Sequence, residues 1–172
     1  IDVGGGFPGK YLNYPTAELP EYIDAIVEAA RDLEVPEACQ LLCEPGRGLS
    51  ADGESLIVQV QLRKGSALYI NDGIYGSMNE EMHGLQRLNR MVATRDFSSK
   101  RQPFTLYGPT CDATDVLEFP VELPEDIWEG DWIEFGGIGA YGAACRTSFN
   151  GFYTDTFVVV ENEFTTDHSP TS

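Results

Sequence analysis

The spacing of apolar residues changes close to Ser50, and this change restricts the possible folds more than any other feature of the chain. Over residues 18–33 apolar side chains recur at three- and four-residue steps, which predicts an amphipathic helix with Pro20 in its first turn. Over residues 56–62 Leu and Val instead occupy every second position, which predicts a half-exposed antiparallel strand. The chain is therefore predicted to be mainly β, with some α/β structure before Ser50.

A strand–helix–strand unit is predicted within residues 1–50. Residues 1–3 have the composition of the end of a buried strand, and Gly4-Gly5-Gly6 follow as a loop. A second apolar run at residues 39–43 leads into Glu44-Pro45-Gly46-Arg47. Because this unit begins without a methionine and inside a predicted strand, we expect the chain to be a fragment of a longer protein.

The remainder is predicted to form a separate β domain over residues 51–164, either a sandwich or a barrel. Short strand candidates separated by Gly, Pro and Asp lie at 67–71, 104–107, 116–120, 131–135 and 154–160. Residues 78–100 carry mixed signals and are predicted to form an irregular loop with a helical turn. The polar tail, residues 165–172, is predicted to be disordered.

Size and charge exclude several classes of function. A chain of 172 residues is too short for a complete (β/α)8 barrel of about 250 residues together with a second domain. A formal net charge of −17 argues against nucleic acid and anionic membranes, since both require clustered Lys and Arg. No apolar run approaches the roughly 18 residues of a membrane span, and no signal peptide is recognisable, so we expect a cytoplasmic location.

The cysteines and histidines predict neither a disulfide scaffold nor a metal site. The four cysteines are few and dispersed, and neither histidine stands at ligand spacing from them.

The two loops of the first unit are candidate anion-binding elements. Gly4, Gly5 and Gly6 would let a backbone approach an anion and point N–H groups at it, although a turn that needs positive φ explains the same residues. Arg47 can hold a phosphate by its fork, and Glu44 can keep a ring nitrogen protonated. The alternative for the charged pair is a solvated loop ion pair.

Two further motifs lie in the β region. Gly108-Pro109-Thr110-Cys111-Asp112 places side by side a thiol that can donate a proton and a carboxylate that can hold an ammonium group. A buried, inert cysteine is the alternative. The loop 136–141 ends in Tyr141, whose hydroxyl can reach a phosphate or can simply belong to a half-buried core tyrosine.

Taken in order, these motifs resemble the fold-type III pyridoxal-phosphate (PLP) decarboxylases that act on ornithine, lysine and diaminopimelate. The similarity covers nearly the whole chain. It rests on DVGGGFPG at 2–9, CEPGR at 43–47, NDGIYGS at 71–77, GPTCD at 108–112, and GAY at 139–141 with FNGF at 149–152.

The resemblance implies a homodimeric enzyme with an N-terminal (β/α)8 barrel, a C-terminal β domain like that of alanine racemase, and active sites at the interface. Residues 1–50 would be the last βαβ piece of that barrel. The resemblance assigns binding of the PLP phosphate to Gly4, Gly5, Gly6, Gly46, Arg47 and Tyr141, and contact with the pyridinium nitrogen to Glu44. It assigns catalytic reprotonation to Cys111 and substrate binding to Asp112, at the distal amine, and to Tyr75. Tyr75 and Phe149 would line the interface.

The implied reaction is loss of the α-carboxylate from a basic amino acid, of the ornithine or lysine type used in polyamine biosynthesis. The family's cofactor-linked lysine would precede Ile1, while Lys10, Lys64 and Lys100 match no family motif and are predicted to lie on the surface. This chain alone is therefore expected to be inactive and to bind PLP weakly or not at all.

Substrate identity stays open. Residues 82–85 are Met-His-Gly-Leu, where eukaryotic-type ornithine decarboxylases carry a Tyr-Asp pair that contacts the substrate. Two alternatives to an enzyme part remain: a non-catalytic decarboxylase homologue that acts by binding partners, and a fragment that merely folds as a β domain and dimerises.

Overall fold

A six-stranded sheet forms the body of the protein in this computed structural model, which describes residues 1–161. The sheet is barrel-like and nearly closed, with the strand order β3-β6-β1-β2-β4-β5. The strands are β1 (Leu56–Lys64), β2 (Ala67–Ile70), β3 (Asn89–Met91), β4 (Arg101–Tyr107), β5 (Val121–Pro124) and β6 (Trp132–Phe135). The predicted mainly β fold is therefore confirmed.

Strand β1 lies in the middle of the sheet and follows the predicted alternation. Val58 and Val60 are fully buried while Ile57 and Gln61 face solvent. The strand pairs antiparallel with β2 across a turn at Gly65, whose φ of +60° suits glycine, and antiparallel with β6 on its other side. The core between the strands is apolar and includes Val58, Val60, Leu68, Ile70, Phe104, Leu106, Leu123, Ile133 and Phe135.

One strand pair differs from the predicted antiparallel arrangement. β2 and β4 are parallel, with Ala67, Leu68 and Tyr69 opposite Thr105, Leu106 and Tyr107. A parallel pair requires a long connection, and the chain between β2 and β4 supplies it. That connection, residues 71–100, contains the 3₁₀ helix Asn79–His83 and the edge strand β3. The irregular loop with a helical turn predicted there is correct except for β3.

Helix α1 (Leu19–Asp32) closely matches the predicted helix. Glu18 and Glu21 form a reciprocal capping box, and Pro20 occupies the first turn. None of its residues is fully buried, although Tyr22 meets Phe7 edge to face with ring centroids 6.1 Å apart. The remaining helices are short: α2 (Gly46–Ser50), α3 (Gly142–Cys145) and the 3₁₀ turns Ala51–Gly53 and Phe149–Gly151.

Four strand predictions are wrong or too generous. The two buried strands at residues 1–3 and 39–43 reduce to a single parallel bridge between Asp2 and Leu42, and Leu42 is half exposed. Residues 154–160 form no strand and are exposed, because a composition rich in β-branched residues suits a strand without providing a ladder partner. Within residues 116–120, only Val116 forms a bridge, to Tyr107, and β5 starts one residue later.

The predicted disordered tail, residues 165–172, lies outside the described residues. The boundaries of the predicted domains stay predictions. Within residues 1–161, no helix is long and apolar enough to cross a membrane.

Candidate functional site

The glycine loop lies directly against the loop that carries the predicted charged pair. Gly4 and Gly6 have φ values of +76° and +87°, which strongly favour glycine. A Cβ on Gly5 would lie 2.8 Å from the carbonyl oxygen of Glu44, so this position also requires glycine. The Glu44 amide donates a hydrogen bond to the Gly4 carbonyl at 2.8 Å. Among the described residues, nothing accepts a hydrogen bond from the Gly5 and Gly6 amides.

The charged pair divides between solvent and the protein interior. The side chain of Glu44 is exposed, and its backbone carbonyl accepts a hydrogen bond from Gly46 at 2.9 Å. Gly46 opens the short helix α2, and Arg47 follows with only 18% of its side chain exposed. Glu44 and Arg47 form no ion pair with each other, so the alternative of a solvated loop ion pair between them is wrong.

Close backbone packing brings Tyr141 to Arg47. The Gly139 amide donates to the Ala51 carbonyl at 2.9 Å, and a Cβ at Gly139 would overlap the Ser50 carbonyl oxygen. This approach places the Arg47 guanidinium over the Tyr141 ring, 5.0 Å from its centroid. Tyr141 has a φ of +66°, which is unfavourable for residues other than glycine. Residues held in such strained conformations often lie at functional sites.

Arg47 also belongs to a charged cluster that the sequence did not reveal. Its two terminal nitrogens donate to the two carboxylate oxygens of Glu80, one of them at 2.5 Å. Arg87 donates to the same carboxylate and, at 2.6 Å, to the Gly137 carbonyl. Glu81 stands beside Arg87, with Oε1 3.5 Å from Nε. The side chains of Arg87 and Glu81 are only 3% and 7% exposed.

The pKa values of the two carboxyl groups in this cluster are shifted in opposite directions. Burial of Glu80 favours its neutral form, but the hydrogen bonds and charges of Arg47 and Arg87 outweigh burial, so its pKa is lowered. The hydrogen bond with Glu80 raises the pKa of Arg47, although burial of the guanidinium acts in the opposite direction. Burial raises the pKa of Glu81 to about 7, because the charge of Arg87 offsets only part of the desolvation.

Asp112 and Tyr75 form a second group of predicted residues. Thr114 donates to Asp112 from its hydroxyl at 2.6 Å and from its amide at 2.8 Å. These bonds lower the pKa of Asp112, so its carboxylate is ionised at neutral pH. The Tyr75 hydroxyl lies 2.9 Å from the Thr114 hydroxyl, and the Tyr75 ring stacks on Phe149 at 4.4 Å between centroids.

Cys111 lies next to this group, on a constrained backbone. Its φ is +60°, and its thiol is exposed, 3.9 Å from the Pro109 carbonyl oxygen. The alternative of a buried cysteine is therefore wrong. The preceding residue Thr110 donates to the buried carboxylate of Asp115 from its hydroxyl at 2.5 Å and its amide at 3.0 Å. Asp115 also accepts from the Ile74 amide at 3.1 Å, which ties the two motifs together.

The structure thus brings the predicted residues together as two groups. Gly4, Gly5, Gly6, Glu44, Gly46, Arg47 and Tyr141 form the first group, and Tyr75, Cys111, Asp112 and Phe149 form the second. The residues that sequence reasoning missed are the supports: Glu80, Glu81, Arg87 and Asp115. The only signal for them was adjacent acids at positions 80 and 81, shortly after the NDGIYGS motif.

The first group has the donor set that a phosphate group needs. Two free backbone amides of the glycine loop, the guanidinium of Arg47 and the phenol of Tyr141 are the donors of this group, and Glu44 packs against the loop while Arg47 lies over the Tyr141 ring. An exposed carboxylate, Glu44, borders the same loop. These residues fit a phosphorylated cofactor with a basic ring nitrogen, with the qualification that Glu80 already engages Arg47.

Comparison with known proteins identifies the class: residues 53–139 match the family model described as the C-terminal sheet domain of pyridoxal-dependent decarboxylases. The match covers half of the chain, and the chain belongs to this family.

The chain is similar to several named proteins and solved structures. Antizyme inhibitor 2 of Xenopus laevis is 34% identical over 88% of this chain, and ornithine decarboxylase of Schizosaccharomyces pombe is 28% identical over 95%. Among solved structures, lysine/ornithine decarboxylase of Vibrio vulnificus complexed with cadaverine is 32% identical, with a TM-score of 0.73 over 88% of the chain. The chain spans 37%, 39% and 40% of these three proteins, respectively.

Proposed function

We propose that this chain is part of a cytoplasmic, PLP-dependent decarboxylase of basic amino acids of the ornithine or lysine type, acting in polyamine biosynthesis. The observation that carries the proposal is the packing of the glycine loop against Glu44, together with the contact of Arg47 with Tyr141, in a chain that belongs to the decarboxylase family. When bound, PLP would supply the electron sink for loss of the α-carboxylate.

In this proposal the first group holds and tunes the cofactor. The amides of Gly5 and Gly6 and the guanidinium of Arg47 bind the phosphate, and the hydroxyl of Tyr141 adds a further donor. Glu44 accepts a hydrogen bond from the ring nitrogen and keeps that nitrogen protonated, which makes the ring a better acceptor of electrons. The exposure of the Glu44 side chain leaves it available for this contact.

The second group handles the substrate. Asp112, held ionised by Thr114, binds the distal ammonium group of the substrate, and the exposed Cys111 thiol donates a proton to the α-carbon after carbon dioxide has left. We propose that both residues act across a homodimer interface to which Tyr75 and Phe149 contribute. The exposure of Cys111 and Phe149 supports this placement.

The second candidate is a non-catalytic homologue that acts by binding partners. The similarity to antizyme inhibitor 2 and the engagement of Arg47 by Glu80 favour it. Retention of Cys111, Asp112 and Glu44 favours the enzyme, since a binding module has no need of these chemical groups.

Titration of the chain with PLP and with pyridoxal, which lacks the phosphate, tests the proposal. We expect weak, reversible PLP binding that is tighter than pyridoxal binding, and loss of this difference in Arg47→Ala. Borohydride reduction followed by mass spectrometry should give no adduct on Lys10, Lys64 or Lys100, which are exposed as predicted. Equal binding of the two compounds would refute the phosphate site, and a specific lysine adduct would refute the assignment of residues.

A further inference from the structure

Arg47 is the only cation of the first group, and its hydrogen-bonding face is already used by another side chain. Both terminal nitrogens donate to Glu80 in a two-pronged arrangement. This arrangement is the one in which a guanidinium binds a phosphate. An incoming phosphate and the Glu80 carboxylate therefore compete for the same donors.

The pair is sheltered enough for this competition to matter. Only 18% of the Arg47 side chain and 13% of the Glu80 side chain are exposed, so solvent screens their attraction less than it would on an open surface. With Arg87 and Glu81 included, the cluster holds two cations and two carboxyl groups. A phosphate dianion that entered while Glu80 stayed in place would bring like charges into contact.

Glu80 has a second partner to which it can retreat. Arg87 donates to the same carboxylate and is itself held by the Gly137 carbonyl and by contact with the Tyr11 ring, 5.5 Å from its centroid. Glu80 lies in the short 3₁₀ helix Asn79–His83, and Gly84, with a φ of +76°, follows directly after it. Release from Arg47 would therefore leave the carboxylate paired rather than stranded.

We propose that Glu80 is an internal competitor at this anion site: it fills the binding face of Arg47 and must move onto Arg87 before a phosphate monoester can bind. The inference deepens the proposed function, on which it rests for the identity of the ligand's phosphate. In this proposal, Glu80 determines how tightly the site binds phosphate.

Calorimetric titration with inorganic phosphate at low ionic strength tests this proposal directly. We expect Glu80→Gln, which keeps the shape but removes the charge, to bind phosphate at least about tenfold more tightly than the unaltered chain. The double variant Glu80→Gln/Arg47→Ala should lose this gain. Glu122→Gln, an exposed position in β5, makes the same change in net charge away from the cluster and should have no effect.

A second variant guards against misfolding, since Glu80→Gln weakens a partner of the buried Arg87. Glu80→Asp keeps the charge for Arg87 but shortens the reach to Arg47, and it should also tighten phosphate binding. Affinity within twofold of the unaltered chain in either folded variant would overturn the proposal.

The two proposals fail in different ways. If Glu80→Gln binds phosphate more tightly but does not prefer PLP over pyridoxal, the competitor stands and the cofactor role of the site falls. If the unaltered chain already prefers PLP through Arg47, and Glu80→Gln leaves PLP affinity unchanged, the cofactor role stands and the competitor falls.

Discussion

Glu81 is buried without a full set of hydrogen bonds. Its Oε1 accepts no hydrogen bond from any described residue, and Arg87 Nε, 3.5 Å away, likewise has no acceptor. Desolvation therefore dominates, and the pKa of Glu81 rises to about 7 although the charge of Arg87 lowers it; the like charge of Glu80 adds a smaller upward effect. In the unfolded chain the same carboxyl group titrates near its usual range.

This difference predicts a pH dependence of stability that one substitution should remove. Because the folded chain keeps the Glu81 proton up to about pH 7, Glu81 contributes a loss of stability as pH rises from about 4.5 through 7. The free energy of unfolding of Glu81→Gln, relative to that of the unaltered chain, should therefore increase as pH rises through this window. Above pH 7 the relative gain should reach up to about 3 kcal/mol. Urea denaturation at several pH values measures the difference.

Glu122→Gln serves as the control, because its exposed side chain should leave the pH profile of stability parallel to that of the unaltered chain. A difference between Glu81→Gln and the unaltered chain that does not change with pH would contradict the prediction.

Contacts between individual residues were only partly predictable from the sequence. The glycine loop and Glu44 come together because both follow apolar runs that the βαβ pattern places side by side. Glu80 and Arg87 gave no comparable signal, because their partner Arg47 is 33 residues away from Glu80 and no periodicity joins them. Such contacts depend on the path of an irregular connection, which apolar spacing does not encode.

At the scale of elements, α1 and the sheet differ in how they are stabilised. Central strands contribute fully buried side chains such as Val58 and Phe104, whereas α1 has a capping box and no fully buried residue. A helix of 14 residues is marginal in isolation, and most helical stability in proteins comes from burial of one face. Helix α1 should therefore open locally without disturbing the sheet.

Native-state hydrogen exchange measures this difference. Amides of α1 should exchange at least about a hundredfold faster than those in the middle of β1 and β4, which should exchange only on global unfolding. Similar protection of helix and sheet would mean that α1 is anchored far more firmly than its burial indicates.

Long alternating strands and a long periodic helix were predictable from the sequence, and short or dependent elements were not. Strand β3 has three residues, Asn89–Met91, too few to display a period, and it is a strand because β6 offers it a ladder. The parallel pairing of β2 with β4 depends on how the connection between them runs. Residues 154–160 show the converse: they have the composition of a strand but pair with no strand among the described residues.

At the scale of the whole molecule, net charge and exposed apolar surface have opposite effects on self-association. The charge of −17 repels other copies, while Phe157, Val158 and Val160 are 60–79% exposed, and Val159 is 95% exposed. We expect self-association that strengthens as salt rises from about 20 to 200 mM, because salt screens the repulsion. Sedimentation velocity over a concentration series measures it, and a monomer at every concentration and salt level would contradict the expectation.

The parallel pairing of β2 and β4 also bears on how the protein folds. Strand β4 can join β2 only after residues 71–100 have looped across, and strand β3 within that loop must reach β6, more than 40 residues further along the chain. Contacts so distant in sequence form slowly, since loop closure is unfavourable until the sheet is complete. Arg87 and Glu80 lie on this connection, so the guanidinium–carboxylate cluster should be among the last parts of the molecule to assemble.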